Sequence, residues 1–223
     1  MSLRCLATLL LALAVLSGCG EETAGSGAAQ LWITRDRGSE VLLTASVPAG
    51  ISAMEAVRRK ADVETRYGGR FVQSIDGVHG TLAEQHDWFF YVNGYEGDLS
   101  ATEYTLHDGD VLWWDYRDWR GQLRVPVVVG AFPEPFRHGW NGRRRPTIVE
   151  GGPGQLEQRL AKLIGPSPGT RESSHRLKLV PGTGFRGSLA GSPGDAVVFT
   201  LGRRTARRLL EDPSIVRYRY ELP

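Results

Sequence analysis

Cysteine is almost missing from this sequence: the 223 residues hold two, Cys5 and Cys19, and none follows. Everything beyond Cys19 is therefore without a thiol. No disulfide can staple it, even in an oxidising compartment, and no cysteine nucleophile is available to it. Stability must come from an apolar core, and the chain past Gln30 is long enough for one large domain or two small ones. Long apolar runs are also missing. The longest, Leu6 to Leu16, is about half of the roughly twenty residues that a membrane-spanning helix needs. Histidine is sparse, and His79, His86, His107, His138 and His175 form no i, i+4 pair of the kind that holds zinc on a helix. His86 beside Asp87 and His107 beside Asp108 are only sequence neighbours, so no catalytic constellation is expected, nor any metal site.

What is present begins with a leader. Arg4 precedes the Leu6 to Leu16 run, which has the length of a signal-peptide core. The run closes on Leu16-Ser17-Gly18-Cys19, which resembles the bacterial lipobox. That resemblance implies a signal peptide over residues 1–19, cleavage before Cys19 and lipid on its thiol, with acyl burial holding the protein at the extracytoplasmic face of a membrane. Residues 20–30, rich in Gly, Ala and Ser with Glu21 and Glu22, are expected to form a flexible tether.

Charge is balanced overall, at a formal +2, but not along the chain. Residues 1–120 carry 10 basic and 17 acidic side chains, and residues 121–223 carry 17 and 8. The reversal suggests a boundary near Gly121. It reads as two solvated surfaces of opposite sign, as docking of the halves, or as attraction of the basic half to anionic lipid. Nucleic acid is not expected as a partner, because Arg143-Arg144-Arg145 and the arginines of Arg203 to Arg208 lack interleaved aromatics.

In residues 31–120, Leu31 to Thr34 and Val41 to Val47 read as a hairpin around Asp36-Arg37-Gly38-Ser39. Ser52 and Glu55 form a capping box that opens a helix to about Asp62, with Ala53, Met54, Val57 and Ala61 on one face. Strands follow at Arg70 to Ile75, Trp88 to Val92 and Val111 to Tyr116, with Asp76-Gly77 as a turn. The order β-β-α-β-β-β, one helix on one face of a mixed sheet, is α+β, and a β-grasp domain fits it best.

The residues Trp88-Phe89-Phe90-Tyr91-Val92-Asn93-Gly94, followed by Tyr104-x-Leu106-x-Asp108-Gly109-Asp110-x-Leu112-x-Trp114-x-Tyr116, resemble the bacterial domains related to the C-terminal β-grasp domain of transcobalamin. The resemblance covers about Leu31 to Trp119. It implies a module that binds a small soluble ligand, a cobalamin-like corrinoid among the candidates. The helical barrel that completes the cobalamin site of transcobalamin has no counterpart here. Asn93-Gly94 and Asp108-Gly109-Asp110 read as turns rather than ligand sites.

Strand alternation sorts the aromatics of this motif. Trp88, Phe90 and Val92, with Leu112, Trp114 and Tyr116, are expected to face the helix. Phe89, Tyr91 and Trp113 then fall on the opposite face, which Tyr95 and Trp119 extend. This second face is open to two readings. It is a platform for a flat apolar ligand, making Phe89, Tyr91, Tyr95, Trp113 and Trp119 the candidate binding residues, or it is packing against the second half.

Residues 121–223 read as a second small α+β domain, of no family identified from its residues. Leu123 to Val129 is expected as a strand interrupted at Pro126. Phe132-Pro133-Glu134-Pro135-Phe136 is expected to be extended. Thr147 to Val149, Leu177 to Val180, Ala196 to Leu201 and Ile215 to Tyr220 read as strands. Helices are expected at Leu156 to Ile164 and, shorter and basic, at Arg203 to Leu210. Gly151-Gly152-Pro153-Gly154 lacks the Gly-Lys-Ser/Thr of a phosphate loop and reads as a turn. The expectation for the whole chain is a membrane-anchored, non-enzymatic lipoprotein that captures a small or amphipathic ligand without a bound cofactor, working with an uptake transporter. The alternative is an envelope protein that contacts another protein and binds no small molecule.

Overall fold

The computed structural model describes residues 27–223, so Cys5, Cys19 and most of the expected tether lie outside the described residues. The fold is α+β, mostly strand, with three sheets and few helices. In chain order come β1 (Ala28–Arg35), β2 (Glu40–Pro48), α1 (Ala53–Arg58), β3 (Val63–Arg66), β4 (Phe71–Ile75), β5 (Val78–His79), β6 (His86–Val92), β7 (Tyr95–Glu96) and β8 (Val111–Asp118). They are followed by β9 (Thr147–Glu150), α2 (Gln155–Ile164), β10 (His175–Val180), β11 (Phe185–Leu189), β12 (Val197–Gly202), α3 (Arg203–Glu211) and a 3-10 turn over Pro213–Val216.

The largest sheet has the order β2-β1-β8-β6-β7. Its centre is the parallel pair β1 and β8, in the register Leu31↔Leu112 and Ile33↔Trp114, and its other pairings are antiparallel. Ser52 accepts from the Glu55 amide at 3.0 Å and caps α1 where the sequence predicts its start, while the Glu55 carboxylate pairs with Arg59 instead of closing the box on the Ser52 amide. The helix is short, ending at Arg58, because the next residues turn into β3. Ala53, Met54, Ala56 and Val57 bury against Leu31, Ile33, Val92, Leu112 and Trp114 to make the first core. The small antiparallel sheet β3-β4-β5 packs beside this helix, with Val72 and Ile75 in the same core.

The second half is a four-stranded sheet in the order β11-β12-β10-β9. β9, α2 and β10 form a parallel crossover, and β10 also runs parallel to β12. α2 and α3 lie side by side and bury Leu160, Ile164, Ala206 and Leu209. Arg144 closes the C-terminal end of α2 by donating to the Ile164 carbonyl at 3.3 Å, where the helix dipole favours a cation.

Three segments differ from expectation. Residues 123–129 make no strand. Val128 donates to Gly94 and the Pro126 carbonyl accepts from Glu96, so Val127 makes a single antiparallel bridge to Tyr95, and Val129 donates to Tyr220 instead of extending it into a ladder. Its valines serve two cores, Val127 and Val129 one of them, Val125 and Val128 another, which no flat pairing allows. Phe132 to Phe136 is a run of turns, not extended chain, with Glu134 bonded to Ala131 and Phe136 to Pro133. That coiling brings both Phe132 and Phe136 into the second core. Ile215 to Tyr220 is likewise no strand: Asp212 caps Ser214 at 2.9 Å and Pro213 starts the 3-10 turn.

Candidate functional site

Alternation along β6 and β8 places two sets of aromatics on opposite faces, and the structure treats the two faces very differently. Phe89, Tyr91, Tyr95, Trp113 and Trp119 were the candidates for an exposed platform. Tyr91, Tyr95 and Trp113 are instead fully buried, so that platform does not form. Trp113 packs edge-on to Tyr220 and Trp32, with Val125 and Val128 closing the cluster. Its indole N–H donates to Thr34 Oγ1 at 2.7 Å, Thr34 donates to Asp115 at 2.5 Å, and Tyr220 donates to the other Asp115 oxygen at 2.8 Å. Tyr91 completes the chain by donating to Tyr220 at 3.1 Å. Burial raises the Asp115 carboxyl above its ordinary range, opposed by these donors and the Gly38 amide. Tyr95 joins the second core and donates to the Asp195 carbonyl at 2.8 Å. The cause is the C-terminal segment, which lays Tyr220 on this face and leaves no room for a ligand.

The other face is not fully covered, because α1 spans only six residues. Beyond its end, between the β3-β4-β5 sheet and β6, lies a groove of about 570 Å³. Trp88, Phe90 and Trp114 line it, the Phe90 and Trp114 rings lying 5.1 Å apart at 32°. Tyr67 and Phe71 come from the β3–β4 turn, edge to face at 6.3 Å. Leu82, Leu99 and Leu123 come from three separate loops, and Phe89 and Trp119 complete the lining. Among the described residues, five of the seven exposed large hydrophobic side chains lie on this groove: Tyr67, Phe71, Leu82, Leu99 and Leu123. Water-facing apolar groups scattered singly mean little, but a cluster around a cavity marks a binding surface.

Close packing sets the groove's shape. A Cβ on Gly97 would stand 2.1 Å from Phe90 Cζ, and one on Gly80 would stand 2.3 Å from Asp87 Oδ1, so both positions must be glycine for these side chains to lie as they do. Asp87 is half-buried beside the aromatics, and desolvation holds its carboxyl above the usual range, with the Trp88 amide and the Arg66 charge opposing. Arg66 and Arg70 stand on the β3–β4 side, Arg70 paired with Glu103. Trp114 Nε1 is a buried donor with no acceptor among the described residues. The groove thus offers an apolar, aromatic interior with a carboxyl and two cations at defined points, the composition of a small-molecule site.

A strap over residues 119–125 carries Trp119 and Leu123 to the groove. Arg117, fully buried, lies 3.7 Å above the Phe89 ring and donates to the Gln122 carbonyl at 2.8 Å and the Leu123 carbonyl at 2.9 Å. Glu96 accepts from the Val125 amide at 2.9 Å and pairs with Arg124 at 3.3 Å and Arg117 at 3.7 Å. Burial raises the Glu96 carboxyl, and the two guanidinium groups oppose it. The motif residues Asn93 and Asp110 are structural: Asn93 donates to Asp110 at 2.7 Å and to the Gly139 carbonyl at 2.9 Å, and Asp110 also accepts from Tyr104 and the His107 amide. No group of three or more His, Cys, Asp or Glu suited to a metal ion occurs among the described residues.

Of the residues expected on the platform, Phe89 and Trp119 border this groove instead; Trp88, Phe90 and Trp114, expected in the core, also line it, and Tyr67, Phe71, Leu82, Leu99 and Leu123 were not among the sequence candidates. The signal available was weak: large apolar residues beside Gly68-Gly69 or inside polar loops.

Comparison with known proteins gives three findings. The family described as a domain of unknown function (DUF4430) matches residues 50–118, which include α1 and most of the groove. No curated protein matches the sequence. Among solved structures, haptocorrin in complex with Cbi is similar at 15% identity and a TM-score of 0.34, over 40% of this chain and 24% of that chain. A Ruminococcus gnavus protein described as a candidate metal-binding protein is similar at 16% identity and a TM-score of 0.34, over 41% of this chain and 97% of its own. This chain spans about a quarter of haptocorrin's length.

Proposed function

We propose that this protein is a lipid-anchored, extracytoplasmic binding protein that takes a small amphipathic ligand into the groove between the β3-β4-β5 sheet and β6, and does no chemistry on it. The observation that carries the reading is the gathering, among the described residues, of five of the seven exposed large hydrophobic side chains around one cavity of about 570 Å³. Burying such surface yields roughly 25 cal/mol per Å², before ordering costs. The lipobox-like run at Cys19 supports the anchor, and a β-grasp reading of the first half is supported by its central parallel β1–β8 pair crossed by α1. The ligand class to try first is the one the motif resemblance implies, a corrinoid, whose flat ring would lie against Phe90, Phe71 and Tyr67. An uptake transporter would then receive it.

Calorimetric titration of the chain from residue 20 onward with cobinamide, cobalamin and haem tests this. Saturable heat is expected with at least one of them, and its loss in the Phe90→Ser variant. No heat with any of the three at about 100 μM, where even weak specific sites fill, would remove this ligand class. Acyl labelling of the full chain, lost in Cys19→Ser, tests the anchor separately. A protein-contact reading has one observation of its own: β2 is an edge strand, with Val41 and Leu42 exposed on it. Capture of a partner protein that Leu42→Lys abolishes and Phe90→Ser leaves intact would favour it.

A further inference from the structure

We infer that the outer face of the α2–α3 layer is a docking surface for anionic phospholipid headgroups. Both helices turn their apolar sides onto the sheet, through Leu160, Ile164, Ala206 and Leu209. What remains outside is cationic: Arg159 and Lys162 on α2, and Arg204, Arg207 and Arg208 on α3, all exposed. Among the described residues none of these five is in an ion pair, whereas Arg203 beside them is closed by Glu157 at 2.6 Å. Glu211 is the one exposed carboxylate within the two helices, and Asp212 just beyond is engaged by Ser214. The cations of the first half are more often matched, as in Arg35 with Glu40, Arg59 with Glu55 and Arg120 with Asp118.

Two further observations fit a membrane surface. The exposed large hydrophobic residues all precede Arg124, so this face has nothing to insert and must bind by charge, as a peripheral basic surface does. The C-terminal end of α2, next to Lys162, also lies toward the part of the molecule where the described chain begins. Ala28 donates to Asp108 at 2.9 Å, the neighbouring Gly109 lies against His138, and Arg144 joins the Phe136 carbonyl to the Ile164 carbonyl at the end of α2. A lipid on Cys19 would keep that end within roughly 30 Å of extended chain from the bilayer. Lipid as the partner rests on the anchoring proposal, but the geometry of the face does not.

The test uses the unacylated chain from residue 20 onward, which keeps the whole described fold, so the anchor and the docking surface fail separately. Co-sedimentation is compared on phosphatidylcholine vesicles with and without about 30 mol % phosphatidylglycerol, at low salt and at about 0.5 M salt, where screening shortens the reach of surface charge. Binding is expected only to the anionic vesicles and only at low salt. The variant R204Q/R207Q/R208Q should lose at least tenfold in partitioning, each cation near a charged surface mattering severalfold, with an unchanged melting temperature. A control, K60Q/K178Q/R186Q, removes the same net charge at exposed positions off the two helices and should partition as wild type. Equal binding to neutral vesicles, no binding to anionic ones, an equal loss in the control, or binding to duplex DNA in place of anionic vesicles would each overturn the inference.

Discussion

The two faces of the β6–β8 pair are both aromatic and differ in what covers them. One face, with Tyr91 and Trp113, is sealed by Tyr220, Val125 and Val128 and tied by a hydrogen-bond chain through Thr34 and Asp115. The other, with Trp88, Phe90 and Trp114, is covered by a six-residue helix that is too short to close it, and the uncovered part becomes the groove. Aromatic content alone does not tell a binding surface from a seam. Coverage decides, and coverage is a property of segments distant in sequence: Tyr220 is more than a hundred residues from Trp113.

The sharpest way to break this comparison is Trp113→Ala. A fully buried indole that also satisfies Thr34 is removed, and about 3 to 5 kcal/mol of stability should go with it. Denaturant melts of the chain from residue 20 onward would show it. A loss below about 1 kcal/mol would mean that this face is not a packed seam, since truncating a buried aromatic without cost requires that it was not buried.

The second core, which takes in Tyr95 from this sheet, should also be sensitive to acid. His175, under Tyr95 and Phe136, accepts from the Val197 amide at 3.2 Å and is held down to about 4 from 6.5, chiefly by burial and then by Arg145 and Arg144. Below 6.5 the unfolded chain takes a proton on this histidine that the folded one refuses. Its contribution to stability is therefore whole above 6.5 and is lost as pH falls toward 4, by about 3 kcal/mol for a shift of this size. Asp115, Glu96 and Asp87, whose carboxyls are raised, act in the opposite sense, so the informative quantity is the difference between wild type and His175→Asn. That difference should shrink steadily from pH 6.5 to 4; a flat difference would show that His175 protonates in place.

Much of the framework was legible before any coordinates. The Ser52 cap begins α1, β1, β2, β6 and β8 fall where alternation places them, and Leu112 and Trp114 are core residues as expected. β3 and β11 were not legible. The first is four residues of mixed polarity, and the second carries Gly187 and Ser188 at positions where a strand usually shows branched side chains. The valine run at 125–129 misled because β propensity describes a pleated, half-buried surface, and these valines are wedged between two cores instead. At the site, period-two reasoning separated the faces correctly but could not see that residues 213–220 fold back as a turn and close one of them.

A smaller effect should come from Tyr220→Phe, which keeps the ring of the seam and removes one donor. Asp115 would lose the Tyr220 hydrogen bond while staying buried, and Tyr91 would lose its acceptor. An unsatisfied buried group of this kind costs about 1 to 3 kcal/mol. The double variant with Thr34→Val tests whether the chain acts as a unit: its loss should differ from the sum of the single losses by more than about 0.5 kcal/mol, the range within which independent sites add. Simple additivity would show that the hydrogen bonds are separate contacts on a seam held by packing alone.

The smallest effect on stability belongs to the groove, and it is the one that separates the two faces most cleanly. Leu82 is 82% exposed and Leu99 58%, so Leu82→Ser with Leu99→Ser removes little buried area and should change stability by less than about 0.5 kcal/mol. The same two side chains form part of the apolar rim of the cavity, and a ligand that buries them on binding loses that contribution in the variant. Binding of a fluorescent hydrophobic probe should therefore fall severalfold while the melting temperature stays put, the reverse of Trp113→Ala. If Leu82→Ser with Leu99→Ser lowers the melting temperature as well, these leucines are packing residues and the groove is a fold of the surface rather than a site. If probe binding is untouched, the probe is held elsewhere, and Val41 with Leu42 on the β2 edge is the next apolar surface to substitute.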